Sequence, residues 1–301
     1  MESYNHVDIY EVGPRDGFQN LRDYIPLKEK LRIIDGIVQS GIRHVQITSF
    51  VSPKAVPQMR DAQEIAAACV KRYHNIDLLA LVPNLRGAQL AWESGIHKVS
   101  YVVSLSASHN KANINRTHEE SLAELRNIRE DNPDMQICLD LATTFGCPFE
   151  GKFPVDAVVD FLAPYIELIQ ELDLCDTIGV ANPRQVRETI AAVRRAYPRM
   201  PLQVHIHDTR NMGMVNTLAA IECGVTAIQS TLGGLGGCPF APGASGNLAT
   251  EDIVYMLNDM GYHTGVDFSA LLEVSRYQRE VIPHGIFSGH QMNISSGLCE
   301  G

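Results

Sequence analysis

The chain has 301 residues, 45% of them hydrophobic, and a formal net charge of −10. That length suits one α/β barrel of about 250 residues with added helices, or two domains of about 150. The acidic balance, broken only by short basic clusters such as Lys71-Arg72 and Arg194-Arg195, argues against a nucleic-acid partner, and no apolar run reaches the ~18 residues that a membrane-spanning helix needs.

Eight short apolar runs read as strands: 7–12, 44–48, 77–82, 98–104, 135–141, 172–178, 202–207 and 227–231. Between them lie helical patterns over 27–40, 61–72, 117–130, 154–171, 184–196 and 214–222. The triplets Ser40-Gly41-Ile42, Ser94-Gly95-Ile96 and Cys223-Gly224-Val225 each read as the end of a helix, because glycine accepts the left-handed backbone of a C-terminal cap. Strands alternating with helices predict a parallel sheet, and eight such units predict a closed (β/α)8 TIM barrel. A doubly wound sheet is the rival, but no GxGxxG follows the first strand. The chain is expected to be a single barrel domain over 1–301, with 266–301 as a C-terminal helical extension.

The seven cysteines are odd in number and contain no CxxC pair, and several sit in apolar runs. This pattern predicts buried thiols in a reducing compartment. The N-terminus carries neither a secretory signal nor an Arg-rich transit pattern, and a cytoplasmic location is expected.

In such a barrel the chemistry sits where strands end at their C-terminal side. His205 and His207 are two apart at the end of the seventh strand, so their side chains share one face. They are either two ordinary polar barrel residues or a metal pair. Asp16 follows the first strand and Asn247 lies beyond the eighth, and closure of the barrel makes strands seven, eight and one neighbours. Two nitrogens, a carboxylate and an amide oxygen with room left for substrate suit Mg2+ or Mn2+. Arg15, beside Asp16, is a candidate for stabilising an oxyanion, or else a salt bridge that fixes the loop. Cys238 lies in a stretch with six glycines in fifteen residues, 233–247. It is either incidental in a surface loop or a thiol acid delivered by a lid. Cys147 sits in a similar Gly-Cys-Pro-Phe and is read as structural.

Taken together, Val12-Gly-Pro-Arg-Asp-Gly-Phe-Gln-Asn20, Thr48-Ser-Phe-Val-Ser-Pro-Lys54, Gly146-Cys-Pro-Phe-Glu-Gly151, Asp176-Thr-Ile-Gly-Val180 and Gly234-Leu-Gly-Gly-Cys-Pro-Phe-Ala-Pro-Gly-Ala-Ser-Gly-Asn-Leu-Ala-Thr-Glu-Asp252 resemble the 3-hydroxy-3-methylglutaryl-CoA lyase family over roughly residues 6–275. The resemblance implies a metal-dependent carbon–carbon lyase that releases acetyl-CoA and acetoacetate from an acyl-CoA, and a homodimer. It implies Asp16, His205, His207 and Asn247 as metal ligands, and Arg15 and Cys238 as catalytic groups. Asp176 and Glu251 fall on further acidic site residues of the family. Gln46 stands where the family usually carries a glutamate that pairs with the arginine; glutamine still accepts that hydrogen bond but brings no charge. Gln229 replaces a usual aspartate, and Arg210-Asn-Met212 replaces Tyr-Gly-Gln. These departures keep two alternatives open: the same chemistry on a related 3-hydroxy-acyl-CoA such as citramalyl-CoA or a longer branched hydroxyglutaryl-CoA, or a silent relative that binds metal or CoA.

Overall fold

The computed structural model describes residues 5–236 and 246–294. Eight parallel strands, β1 Asp8–Glu11, β2 His44–Ser49, β3 Asp77–Leu81, β4 Lys98–Ser104, β5 Gln136–Ala142, β6 Glu171–Asp176, β7 Leu202–Ile206 and β8 Ala227–Ser230, close into a barrel in chain order. The seam is the pairing of β1 with β8, Asp8 opposite Ala227 through Glu11 opposite Ser230. Among the described residues ten α-helices surround it: α1 Leu27–Gln39, α2 Ala62–Arg72, α3 Leu85–Glu93, α4 Ala107–Ile114, α5 His118–Asp131, α6 Val155–Leu162, α7 Pro183–Ala196, α8 Gly213–Glu222, α9 Thr250–Asp259 and α10 Phe268–Val281. The fold is the expected (β/α)8 TIM barrel.

Side chains alternate along each strand, and here the alternation separates two chemistries. One phase faces the helices and builds the core: Val99, Tyr101 and Val103 on β4, Ile137, Leu139 and Leu141 on β5, Leu172 and Leu174 on β6, Val204 and Ile206 on β7. The other phase faces the lumen and is largely polar. At the N-terminal end of the barrel Lys98 holds Asp77 at 2.8 Å and Glu171 at 2.7 Å. There His44 stacks on Tyr10, with ring centroids 4.2 Å apart. The site described below occupies the opposite end.

The helix ends follow local rules. Thr117 and Glu120 form a reciprocal capping box at the start of α5. Asn182 caps α7 by accepting from the Gln185 amide at 3.0 Å, with Pro183 in the first turn where its missing N–H costs nothing. Gly41, Gly95 and Gly224 all take positive φ after their helices, as their triplets predict. At Gly41 a Cβ would also lie 2.4 Å from the Gly265 carbonyl oxygen, so the join between α1 and the segment leading to α10 admits no side chain.

The helix expected over 154–171 stops at Leu162 and is followed by a short 3-10 turn, Ile166–Leu168. Pro164 explains this: it has no N–H to continue the helix ladder, although Ala163 before it keeps helical φ and ψ. Two helices lack a predicted counterpart, namely α4 and α9, and α3 is marked only by its stop at Ser94-Gly95-Ile96. α4 has almost no apolar face; its buried residues are His109 and Asn110, and Asn110 donates to the Arg116 carbonyl and the Ser121 hydroxyl, both at 3.0 Å. α9 completes the eighth unit, and α10 packs across α1 and α9. Among the described residues no helix is long and apolar enough to cross a membrane.

Candidate active site and metal centre

The chain after β1 enters a single π-helical turn, Gly13–Gly17, which buries Arg15 and Asp16. Such turns are rare and reshape a backbone locally, often where function requires it. β7 delivers His205, whereas His207 lies just past the strand, in an antiparallel bridge with Asn247. That bridge, reinforced by the Asp208 amide donating to the Gly246 carbonyl at 2.9 Å, carries Asn247 to the histidines from beyond β8.

One carboxylate oxygen of Asp16 and one ring nitrogen each of His205 and His207 lie within 4.8 Å of one another. The two Nε2 atoms face each other at 3.1 Å. His205 Nδ1 bonds Gln229 Oε1 at 3.2 Å, and Gln229 Nε2 donates to Gln203 Oε1 at 3.1 Å. Because a carboxamide oxygen only accepts, this bond puts the His205 proton on Nδ1 and leaves the Nε2 lone pair pointing at the cluster. The Asn247 amide nitrogen lies 2.6 Å from Asp16 Oδ2, and Asn247 Oδ1 is buried without a partner.

Electrostatics set these groups in metal-binding form. Burial, helped by the neighbouring imidazole of His205, pushes His207 down to about 3. Burial also lowers His205. Burial works against the Asp16 carboxylate, but Arg15 and the two imidazoles outweigh it and hold the group at about 2. At neutral pH the cluster therefore presents two neutral imidazoles and an anionic carboxylate, the protonation states that a divalent cation requires. With the unpartnered amide oxygen beside them, these residues fit such an ion.

Arg15 donates through Nε to Gln46 Oε1 and through a terminal nitrogen to Asp16 Oδ1 at 2.5 Å. Gln46 then donates from Nε2 to Ser100 Oγ at 2.9 Å, and Ser100 bonds Asp140. Arg15, Asp16, His205 and His207 open onto a cavity of about 510 Å³, which also meets Asp140, Asp173 and Cys175.

Two of the expected acidic residues lie elsewhere. Asp176 belongs to the outward phase of β6, with Leu172 and Leu174, and does not line the cavity. It accepts the backbone N–H groups of Val180 at 2.9 Å and Ala181 at 3.0 Å, and burial raises it to about 6. Glu251 accepts the Gly233 amide at 2.9 Å and the Ser275 hydroxyl at 2.8 Å, and burial raises it to about 7. Glu11 accepts the amides of Gly13 at 2.8 Å and Leu232 at 2.9 Å. Glu11 and Glu251 thus clasp the backbone at Leu232 and Gly233, where the glycine-rich stretch begins. Cys238 lies outside the described residues.

Sequence reasoning overlooked Asp140 and Asp173. The signal was available: each interrupts an otherwise apolar strand, in Leu139-Asp-Leu141 and Leu172-Asp-Leu174, where a carboxylate is uncommon. It also overlooked His109, whose Nδ1 lies 2.7 Å from Ser104 Oγ at the cavity wall.

A family model described as HMGL-like matches residues 6–277. The chain is 41% identical over 277 residues to a hydroxymethylglutaryl-CoA lyase of Bacillus subtilis, covering 91% of this chain and 92% of that protein. It is 39% identical over 274 residues to the human mitochondrial hydroxymethylglutaryl-CoA lyase, covering 90% and 84%. Among solved structures it resembles an HMG-CoA lyase from Acinetobacter baumannii in complex with coenzyme A and 3-methylmalate, with a TM-score of 0.92, 37% identity and coverage of 99% and 98%.

Proposed function

The chain belongs to the HMGL-like family, and from that premise we propose that it cleaves 3-hydroxy-3-methylglutaryl-CoA to acetyl-CoA and acetoacetate, as a lyase dependent on Mg2+ or Mn2+. The observation that carries this reading is the convergence of Asp16, His205 and His207 beside Arg15 in one cavity. Asn247 completes the ligand set through its unpartnered Oδ1.

A divalent cation held there supplies Lewis acidity to the 3-hydroxyl and orients the substrate. As the C2–C3 bond breaks the 3-hydroxyl passes its proton to water in the cavity, and the protein's own groups handle the charge and the returning proton. Arg15 has its guanidinium positioned by Gln46 and Asp16, so it can meet the thioester oxygen as negative charge develops when the C2–C3 bond breaks. Gln229 holds the His205 proton on Nδ1 and keeps the other nitrogen available. Cys238 donates the proton that carbon two of the departing acetyl group takes up. Asp176 and Glu251 are positioning residues in this scheme: each holds backbone amides, the first in the loop after β6, the second where the segment bearing Cys238 begins. The protein acts in the cytoplasm as a homodimer.

Gln46 favours a second reading, the same cleavage on a related 3-hydroxy-acyl-CoA, because the neutral amide changes the charge beside Arg15. The experiment is acetyl-CoA release from 3-hydroxy-3-methylglutaryl-CoA with Mn2+, with and without chelator. Chelator-sensitive release with stoichiometric acetoacetate is the expected result. Metal binding without cleavage would move the assignment to another 3-hydroxy-acyl-CoA, and absence of turnover across an acyl-CoA panel would point to a silent relative.

A further inference from the structure

Asp140 and Asp173 face the lumen from adjacent strands, directly opposite each other in register. Both are buried, at 4% and 0% exposure, and both line the same cavity as the metal cluster. Each has one satisfied oxygen: Asp140 is bonded by Ser100 and Cys138, and Asp173 Oδ2 accepts from Cys175 Sγ at 3.2 Å. Each also has one oxygen, Oδ1, that is buried with no hydrogen-bond partner. An unpaired buried carboxylate oxygen is expensive, and two in one pocket call for a donor.

The register locates this pair relative to the metal cluster. Asp173 is opposite Gln203, and Cys175 is opposite His205, so the two carboxylates lie one layer deeper in the barrel than His205. If the proposed reaction holds, carbon three of the substrate carries four substituents. The hydroxyl and the carboxymethyl arm are those a cation holds, and the thioester arm leads out to the mouth. Only the remaining branch is left to point down the lumen. A methyl branch would lie beside the two carboxyls and give them no hydrogen bond.

We propose that Asp140 and Asp173 form an acceptor subsite that selects a 3-hydroxy-acyl-CoA whose branch bears a second hydroxyl. A hydroxyl fits better than an ammonium group, because burial pushes both carboxyls up, Asp173 well above its ordinary value with the help of Asp140 beside it, so the pair does not present two negative charges, and a hydroxyl can both accept and donate there. Gln46 belongs to the same arrangement. Its amide donates toward Ser100, which an ionised glutamate cannot do, and it adds no negative charge beside this pair. The proposal rests on the lyase reading for its reaction but not for its binding preference.

The test compares 3-hydroxy-3-methylglutaryl-CoA with 3-hydroxy-3-(hydroxymethyl)glutaryl-CoA. In the latter the C2–C3 bond breaks, the 3-hydroxyl loses its proton and becomes a ketone, and the electron pair leaves with the acetyl-CoA enolate, which is then protonated. The products are acetyl-CoA and 4-hydroxy-3-oxobutanoate. The wild-type enzyme is expected to favour the hydroxymethyl compound in kcat/KM by roughly tenfold to a hundredfold, the worth of a hydrogen bond to a charged acceptor. Asp140→Ala and Asp173→Ala should each erase or reverse that preference. In parallel, Mn2+-loaded protein is titrated calorimetrically with the two free acids. Tighter binding of the hydroxymethyl acid, lost in the variants, sustains the subsite even if neither thioester is cleaved; that combination would refute only the lyase reading. Equal or weaker handling of the hydroxymethyl compounds by wild type, in both measurements, overturns the subsite whether or not the methyl substrate is cleaved.

Discussion

Replacing Lys98 by methionine should destabilise the barrel without disturbing its chemistry. The ammonium group is held by Asp77 at 2.8 Å and Glu171 at 2.7 Å, with the Tyr10 ring centroid 5.2 Å away, and the side chain is only 13% exposed. Removing one partner of a fully buried ion pair costs about 3–5 kcal/mol, because the other charge is left unpaired. Asp77 and Glu171 are 32% and 22% exposed, so water recovers part of that, and about 2–4 kcal/mol is expected here. An unfolding entropy of about 2.1 cal/mol/K per residue gives about 0.63 kcal/mol/K for 301 residues, hence a Tm lower by about 3–6 °C. Differential scanning calorimetry reads the loss, and steady-state kcat/KM should stay within about twofold, since this cluster lies at the barrel end remote from the strand-end loops. A Tm change below about 1 °C would mean that the cluster behaves like a surface pair. A large fall in kcat/KM at unchanged Tm would break the assumed separation of the two ends.

At the same end, His44 is opposed by burial but held by Asp77 and Asp8, which together raise it to about 9 from an ordinary 6.5. Its contribution to stability is therefore complete below pH 6.5 and lost as pH rises through about 9. The stability gap between wild type and His44→Gln in urea titrations should shrink over that window; a gap that widens would contradict the sign. Gln229→Leu removes the acceptor that orients His205, and calorimetry should find Mn2+ binding weakened roughly tenfold to a hundredfold. His207→Ala should weaken it further still. Asp176→Asn keeps the side-chain shape and one acceptor, so kcat should fall by less than about tenfold and the acid limb of the pH–rate profile should stay in place; disappearance of that limb would make Asp176 a proton-transfer group instead of a positioning one.

The barrel was legible because its signals repeat. Eight strand–helix alternations, with glycine stops at Gly41, Gly95 and Gly224, agree with one another, and a local misreading such as the overlong helix past Pro164 does not disturb the sum. The convergence of Asp16, His205 and His207 was legible because His-x-His at a strand end and Asp16 after β1 depend only on side-chain alternation and barrel closure. Asp176 lies outside the cavity lining because sharing a strand end with the site is not the same as facing it. Its phase was readable from Leu172 and Leu174, which mark the helix-facing side. Glu251 lies in the first turn of α9, and nothing in its neighbours reveals that it turns toward Gly233 and Ser275. Asp140 and Asp173 were overlooked for the opposite reason: their phase points inward, but they match no familiar motif, and only the paired register of β5 and β6 brings them together.

The alternation that puts aliphatic side chains against the helices and polar ones in the lumen has an evolutionary corollary. The aliphatic core lies between the strands and the helices, so a volume-matched exchange at lumen positions such as 46, 140, 173 and 229 leaves that core's packing untouched. A lineage can exchange the groups that meet the substrate one at a time without first acquiring stabilising changes elsewhere. New specificities are then within reach of folded intermediates, the lumen acting as an interchangeable insert within an unchanged casing.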